Sequence, residues 1–139
     1  MIRHVVLDTG PLVAYLREQD IHHQWAVDQL KQMQLPLLTC EAVLTESCYL
    51  LRDHPPAIER IHTYSAEGVV RIAFELAAQR DRVFSLMRSY RNVPMSLADA
   101  CLVGLLESLP DGHIFTLDRD FTIYRQHGRR QIPLITPER

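Results

Sequence analysis

The hydrophobic positions change period along the chain. Short apolar, β-branched runs alternate with stretches in which apolar residues recur every three or four positions. Residues 2–7 form an apolar run closed by Asp8-Thr9-Gly10-Pro11, which predicts a buried strand and a turn. Pro11 suits the first turn of a helix through Leu12, Val13 and Leu16. Residues 20–33 put Trp25, Leu30 and Met33 at helical spacing, and residues 35–39 form a second strand. A helix over 40–52 stops at Asp53-His54-Pro55-Pro56, and another covers 57–64. Residues 69–74 read as strand three and 77–91 as a long arginine-studded helix. A further helix over 96–109 ends at Pro110-Asp111-Gly112. Strand four falls at 113–117, a short helix at 118–126 and strand five at 132–135. Strands alternating with helices need crossover connections. The expected fold is therefore α/β, a three-layer sandwich around a five-stranded parallel sheet.

Composition narrows the class without naming a chemistry. The chain has 139 residues, 47% hydrophobic and 23% charged, as expected for one globular domain over 1–139. Disordered, collagen-like and low-complexity classes are excluded. No apolar run approaches the ~20 residues of a membrane span, and Asp8 arrives too early for a signal peptide. Cys40, Cys48 and Cys101 are odd in number, lack a CxxC pair and sit among apolar neighbours. Reduced thiols and a cytoplasmic location are the expectation. The net charge of −2 argues against a polycation, yet Lys31 is the one lysine among fifteen bases. The others are arginines, whose planar fork suits phosphate.

Four acids stand out by position. Asp8 follows strand one and Asp118 follows strand four. If those strands are neighbours where the strand order switches, both carboxylates face one crevice. Glu46 lies three residues after Val43 and four before Leu50. Asp99 lies four after Met95 and four before Val103. Both acids are thus expected on helix faces turned toward the sheet. Taking an ionised carboxylate out of water costs several kcal/mol unless a cation compensates. Four such acids suggest a shared hard divalent cation, Mg²⁺ or Mn²⁺, held by oxygen ligands. No His/Cys set has zinc spacing. Each acid also has a plainer explanation. Asp8 can cap the helix near Pro11, Ser96-Leu97-Ala98-Asp99 spells a capping box, and Asp118 or Asp120 can cap the next helix. Glu46 can ion-pair with an arginine.

These residues resemble a PIN domain, and within that family the VapC-type toxins of bacterial toxin–antitoxin pairs. The resemblance covers nearly the whole chain. It rests on Val5-Val6-Leu7-Asp8-Thr9-Gly10-Pro11-Leu12, on Thr45-Glu46-Ser47, on Ser96-Leu97-Ala98-Asp99-Ala100 and on Phe115-Thr116-Leu117-Asp118-Arg119-Asp120-Phe121. Each motif is common; four in this order are specific. His22-His23 before Trp25 also resembles a family feature, expected to serve helix start or packing.

The resemblance implies a Mg²⁺- or Mn²⁺-dependent endoribonuclease that leaves a 5′-phosphate. Asp8, Glu46, Asp99 and Asp118 would form the acidic pocket, with Asp120 the alternative to Asp118. Thr9, Ser96 and Thr116 would be supporting hydroxyls. An RNA substrate, a small cognate antitoxin protein and a homodimer are implied in the same way. Arg80, Arg88, Arg119 and Arg125 are candidate RNA contacts, against the plainer view of a solvated face.

A non-toxin RNA-processing nuclease or an RNA-binding regulator of the same fold remains open. Leu7-Asp8-Thr9-Gly10 also spells the Asp-Thr-Gly of aspartic proteases, which need two such loops in an all-β body. Helical stretches and only five glycines speak against that. A phosphatase with a strand-end nucleophile would show Asp-x-Asp, which strand one lacks.

Overall fold

The computed structural model describes residues 2–138. Its centre is a five-stranded, wholly parallel sheet. The strands are β1 (His4–Leu7), β2 (Leu37–Thr39), β3 (Val70–Ile72), β4 (Gly112–Phe115) and a last strand, Leu134–Ile135. Their spatial order is β3-β2-β1-β4 and then the last strand. The chain builds outward from β1 in one direction and then restarts at β4 on its other side. The order therefore switches between β1 and β4, whose register pairs Val6 with Ile114 and Leu7 with Phe115.

Alternation along the strands feeds two cores. Val6 and Ile114 face one layer, with α5 (Leu76–Ser89) and α6 (Leu97–Glu107). Val5, Leu7 and Phe115 face the other, with α1 (Thr9–Leu16), α2 (His23–Leu30) and α4 (Pro55–Ala66). Side chains one residue apart on a strand point to opposite faces, so both faces are covered and the strands read as continuous apolar runs. α6 lies deepest, with every residue from 98 to 106 buried. Gly104 lets the helix pack closely there, because a Cβ would stand 3.0 Å from the Phe74 ring, which would have to give way. α3 (Glu41–Leu50) joins the two layers: Val43 belongs to one core and Leu51, just past its end, to the other.

Two expectations change. Residues 118–126 are not one helix. A single 3₁₀ turn, Arg119–Thr122, is followed by a small antiparallel hairpin of β5 (Arg125–Gln126) and β6 (Arg130–Gln131). His127 and Gly128 turn it with φ of 52° and 78°. The last strand, β7 in chain order, is accordingly confined to Leu134–Ile135. The helix expected over 20–33 keeps its core at His23–Leu30. Among the described residues no helix is long and apolar enough to cross a membrane.

Candidate active site

β1 runs into α1 without a loop. Asp8 is the N-cap of that helix, on extended backbone, and its Oδ1 accepts the Thr9 N–H at 2.7 Å. Its Oδ2 accepts the Thr116 hydroxyl at 2.7 Å. Thr116 follows β4, and the same hydroxyl oxygen accepts the Asp118 N–H at 2.9 Å. One threonine thus links the ends of two neighbouring strands. Asp118 in turn caps the 3₁₀ turn, its Oδ1 accepting the Asp120 N–H at 2.9 Å. Gly10 lets α1 come this close, since a Cβ there would lie 3.1 Å from that of Leu117.

Asp99 arrives from the opposite layer, in the first turn of α6. Ser96 is the N-cap, its hydroxyl accepting the Asp99 N–H at 3.0 Å. The carboxylate is fixed separately: Tyr124 donates its hydroxyl to Asp99 Oδ2 at 3.0 Å. The Tyr124 ring is fully buried, edge-on to Phe121 and to Tyr90. Arg125 gives its backbone N–H to the Tyr90 hydroxyl and its guanidinium to the carbonyls of Thr122, Ile123 and Tyr124. Tyr124 is a residue of the candidate site that sequence reasoning missed. A tyrosine after the mixed run Phe121-Thr122-Ile123 carries no signal of a partner 25 positions away.

Capping and site-building coincide here. The plain explanations of Asp8, Asp99 and Asp118 are all realised, yet all three residues line one open cleft of about 470 Å³. Asp8, Glu46, Ser96, Asp99, Asp118 and Asp120 line it. Glu46 differs from expectation. It is exposed, as is Leu50, because α3 packs mainly against α1 and α6 instead of lying flat on the sheet. It meets the cleft from the rim and is not buried.

The electrostatics are those of acids without a counter-charge. Burial pushes the Asp8 carboxyl up to about 6 against the Thr116 and Thr9 hydrogen bonds, and the charges of Asp99 and Asp118 add to it. Burial likewise raises Asp99, opposed by Tyr124 and reinforced by Asp118. Asp118 acts on both buried acids, and Asp120 and Asp118 both act on Tyr124. Burial and Asp99 push the Tyr124 hydroxyl far up, so it remains a donor. None of the ion pairs among the described residues involves these acids.

Among the described residues no three His, Cys, Asp or Glu side chains close into a ready-made metal cage. The carboxylates share a cleft without converging on a point, contrary to the tighter cluster expected. An open, all-oxygen set of this kind suits Mg²⁺, which keeps several waters and takes one or two carboxylates. The Thr9 hydroxyl, buried without a hydrogen-bond partner, adds a spare oxygen at the same place. The donor chemistry therefore fits a hard cation held partly through water.

The candidate RNA contacts separate in space. Arg80 and Arg88 are exposed on α5, Arg80 bonding the Ala77 carbonyl of its own helix. Arg125 is occupied by backbone carbonyls. Arg119 alone stands next to a cleft acid, Asp118. Of the histidine pair, His23 shares a hydrogen bond with the Ala14 carbonyl at 2.8 Å, and His22 lies edge-on to Trp25.

A family model described as PIN domain matches residues 5–126. No curated protein matches the chain. Among solved structures it is similar to Mycobacterium tuberculosis VapC20, described as a sarcin–ricin-loop-cleaving toxin. The TM-score is 0.77 at 18% identity, over 86% of this chain and 93% of that one. That likeness is one of fold. The family match takes in Asp8, Glu46, Asp99 and Asp118 together with the strands and helices that carry them, and the chain belongs to the PIN domain family.

Proposed function

We propose that the protein is a Mg²⁺- or Mn²⁺-dependent endoribonuclease and the toxin of a toxin–antitoxin pair. One observation carries the chemistry: acids from four separate segments face one cleft at the strand-order switch, two of them buried with no cation of the protein's own. The likeness to VapC20, a sarcin–ricin-loop-cleaving toxin, supports the toxin assignment and RNA as substrate. A small antitoxin protein as inhibitor and a homodimer as the working form are what the resemblance of the sequence motifs implies.

Asp8, Asp99 and Asp118 would hold the metal, directly or through water. When bound, the ion lowers the pKa of water and offsets charge on the phosphoryl oxygens. Thr116 and Tyr124 keep the Asp8 and Asp99 carboxylates oriented. Glu46, at the wetter rim, accepts the proton of the attacking water. The water oxygen bonds to phosphorus, the P–O3′ bond breaks, and O3′ leaves as a hydroxyl after taking a proton from solvent. The products are a 3′-hydroxyl and a 5′-phosphate.

Cleavage of labelled RNA should require Mg²⁺ or Mn²⁺, stop in chelator and disappear in Asp8→Asn. Expression should arrest growth. Equal cleavage in chelator would sink the metal-dependent reading, and harmless expression of an active nuclease would favour an RNA-processing role.

A further inference from the structure

The acidic cleft has an electrostatic difficulty. Its walls repel a phosphodiester strand, and only the phosphate at the metal is compensated there. The flanking strand needs cationic or stacking groups nearby. Seven of the fourteen arginines are already committed. Arg17 bonds Asp53, Arg60 the Tyr64 hydroxyl and Arg82 Glu107, while Arg52, Arg80, Arg91 and Arg125 cap nearby backbone carbonyls.

A second cleft of about 330 Å³ adjoins the first, with Leu117 forming a wall of both. That volume lies in the range of small-ligand sites. Arg119 and His22 stand on its walls with Thr122 and Thr136. The Arg119 guanidinium makes no hydrogen bond or ion pair among the described residues; only its carbonyl is engaged, by the Thr122 hydroxyl. The His22 imidazole has an edge contact to Trp25 and no ring hydrogen bond among the described residues. Glu138 lines the same cleft and supplies an acceptor.

We propose that this second cleft is a nucleotide subsite, which seats the residue of a single-stranded RNA next to the scissile phosphate. Arg119 binds the flanking phosphate, the His22 ring stacks on the base, and Glu138 accepts from a 2′-hydroxyl or an exocyclic amine. The 2′-hydroxyl is what distinguishes RNA from DNA at such a place. The subsite rests on the nuclease reading for its orientation, since the two clefts share Leu117 as a wall.

The test uses a 5′-fluorescein-labelled single-stranded 12-nucleotide RNA. Binding is followed by anisotropy in the full chain carrying Asp99→Asn, and cleavage in the otherwise native chain with Mg²⁺. Adding Arg119→Ala should weaken binding about tenfold and lower the slope of log affinity against log salt by about 0.7, one phosphate contact on a single strand. In cleavage it should raise KM about tenfold with kcat within twofold. Arg119→Lys should recover part of the loss, and Arg71→Ala, at an exposed position of the edge strand β3, should change nothing. Unchanged binding and KM in Arg119→Ala, or no binding of the probe by the Asp99→Asn chain, overturns the subsite. Arg119-dependent binding by a chain that never cuts keeps the subsite and removes the nuclease reading instead.

Discussion

α6 carries a half-buried or buried acid at each end, and the two are treated in opposite ways. Glu107, in the last turn, receives a two-pronged guanidinium from Arg82 at 2.9 and 2.6 Å, and the His127 N–H besides. Arg82 and His127 hold its carboxyl below the usual range although burial works the other way. Asp99, in the first turn, receives a hydroxyl and no cation, and burial lifts it. The first acid is neutralised from within and fastens α5 and the β5–β6 hairpin to α6. The second keeps an unmet demand for positive charge, and that demand is what a functional site looks like in physical terms.

The sharpest break of this comparison is Asp99→Asn. It should lower kcat on the order of a thousandfold and abolish Mn²⁺ binding by calorimetry, with the melting temperature unchanged or raised. A stability loss with Mn²⁺ binding intact would make Asp99 another Glu107.

Asp8 gives the next largest effect, in pH. An ordinary aspartate loses its proton near 3.8, and Asp8 in the folded chain near 6. Between those values the metal-free native state holds a proton that the unfolded chain has shed, so stability falls as pH rises through this window. The loss is on the order of 3 kcal/mol. Urea titrations across pH 4–7 should show it, Mg²⁺ should offset it, and Asp8→Asn should flatten it.

Glu107→Gln should cost on the order of 2 kcal/mol by urea denaturation, with kcat unchanged. Tyr124→Phe is the smallest and most discriminating. It should weaken Mn²⁺ binding about tenfold while changing stability by on the order of 1 kcal/mol, because it removes one hydrogen bond to a carboxylate and keeps the packed ring.

Most of the fold was legible because it depends on local periodicity. β-branched runs ended at turn residues, and both Asp8 and Asp118 could be placed at strand ends before any geometry was known. Helix-face reasoning succeeded for Asp99, on a helix covered all round, and failed for Glu46. α3 crosses between layers, so part of its apolar stripe, Leu50 included, reaches solvent. The stretch 118–126 was misread because a 3₁₀ turn and a helix share a start signal in Asp118. The His127-Gly128 turn that announces the hairpin lay just outside the span considered. Tyr124 was illegible for a different reason: its meaning lies in a partner brought by tertiary packing.

The contact between the first turn of α1 and Leu117 has a practical corollary. At this wall of the cleft Gly10 packs closely against the apolar Leu117 side chain, a contact in which no charged group takes part. Neutralised variants should therefore keep an open mouth, and under the proposed nuclease function an inert form of the protein becomes a trap with which intact target transcripts can be fished from cells and sequenced.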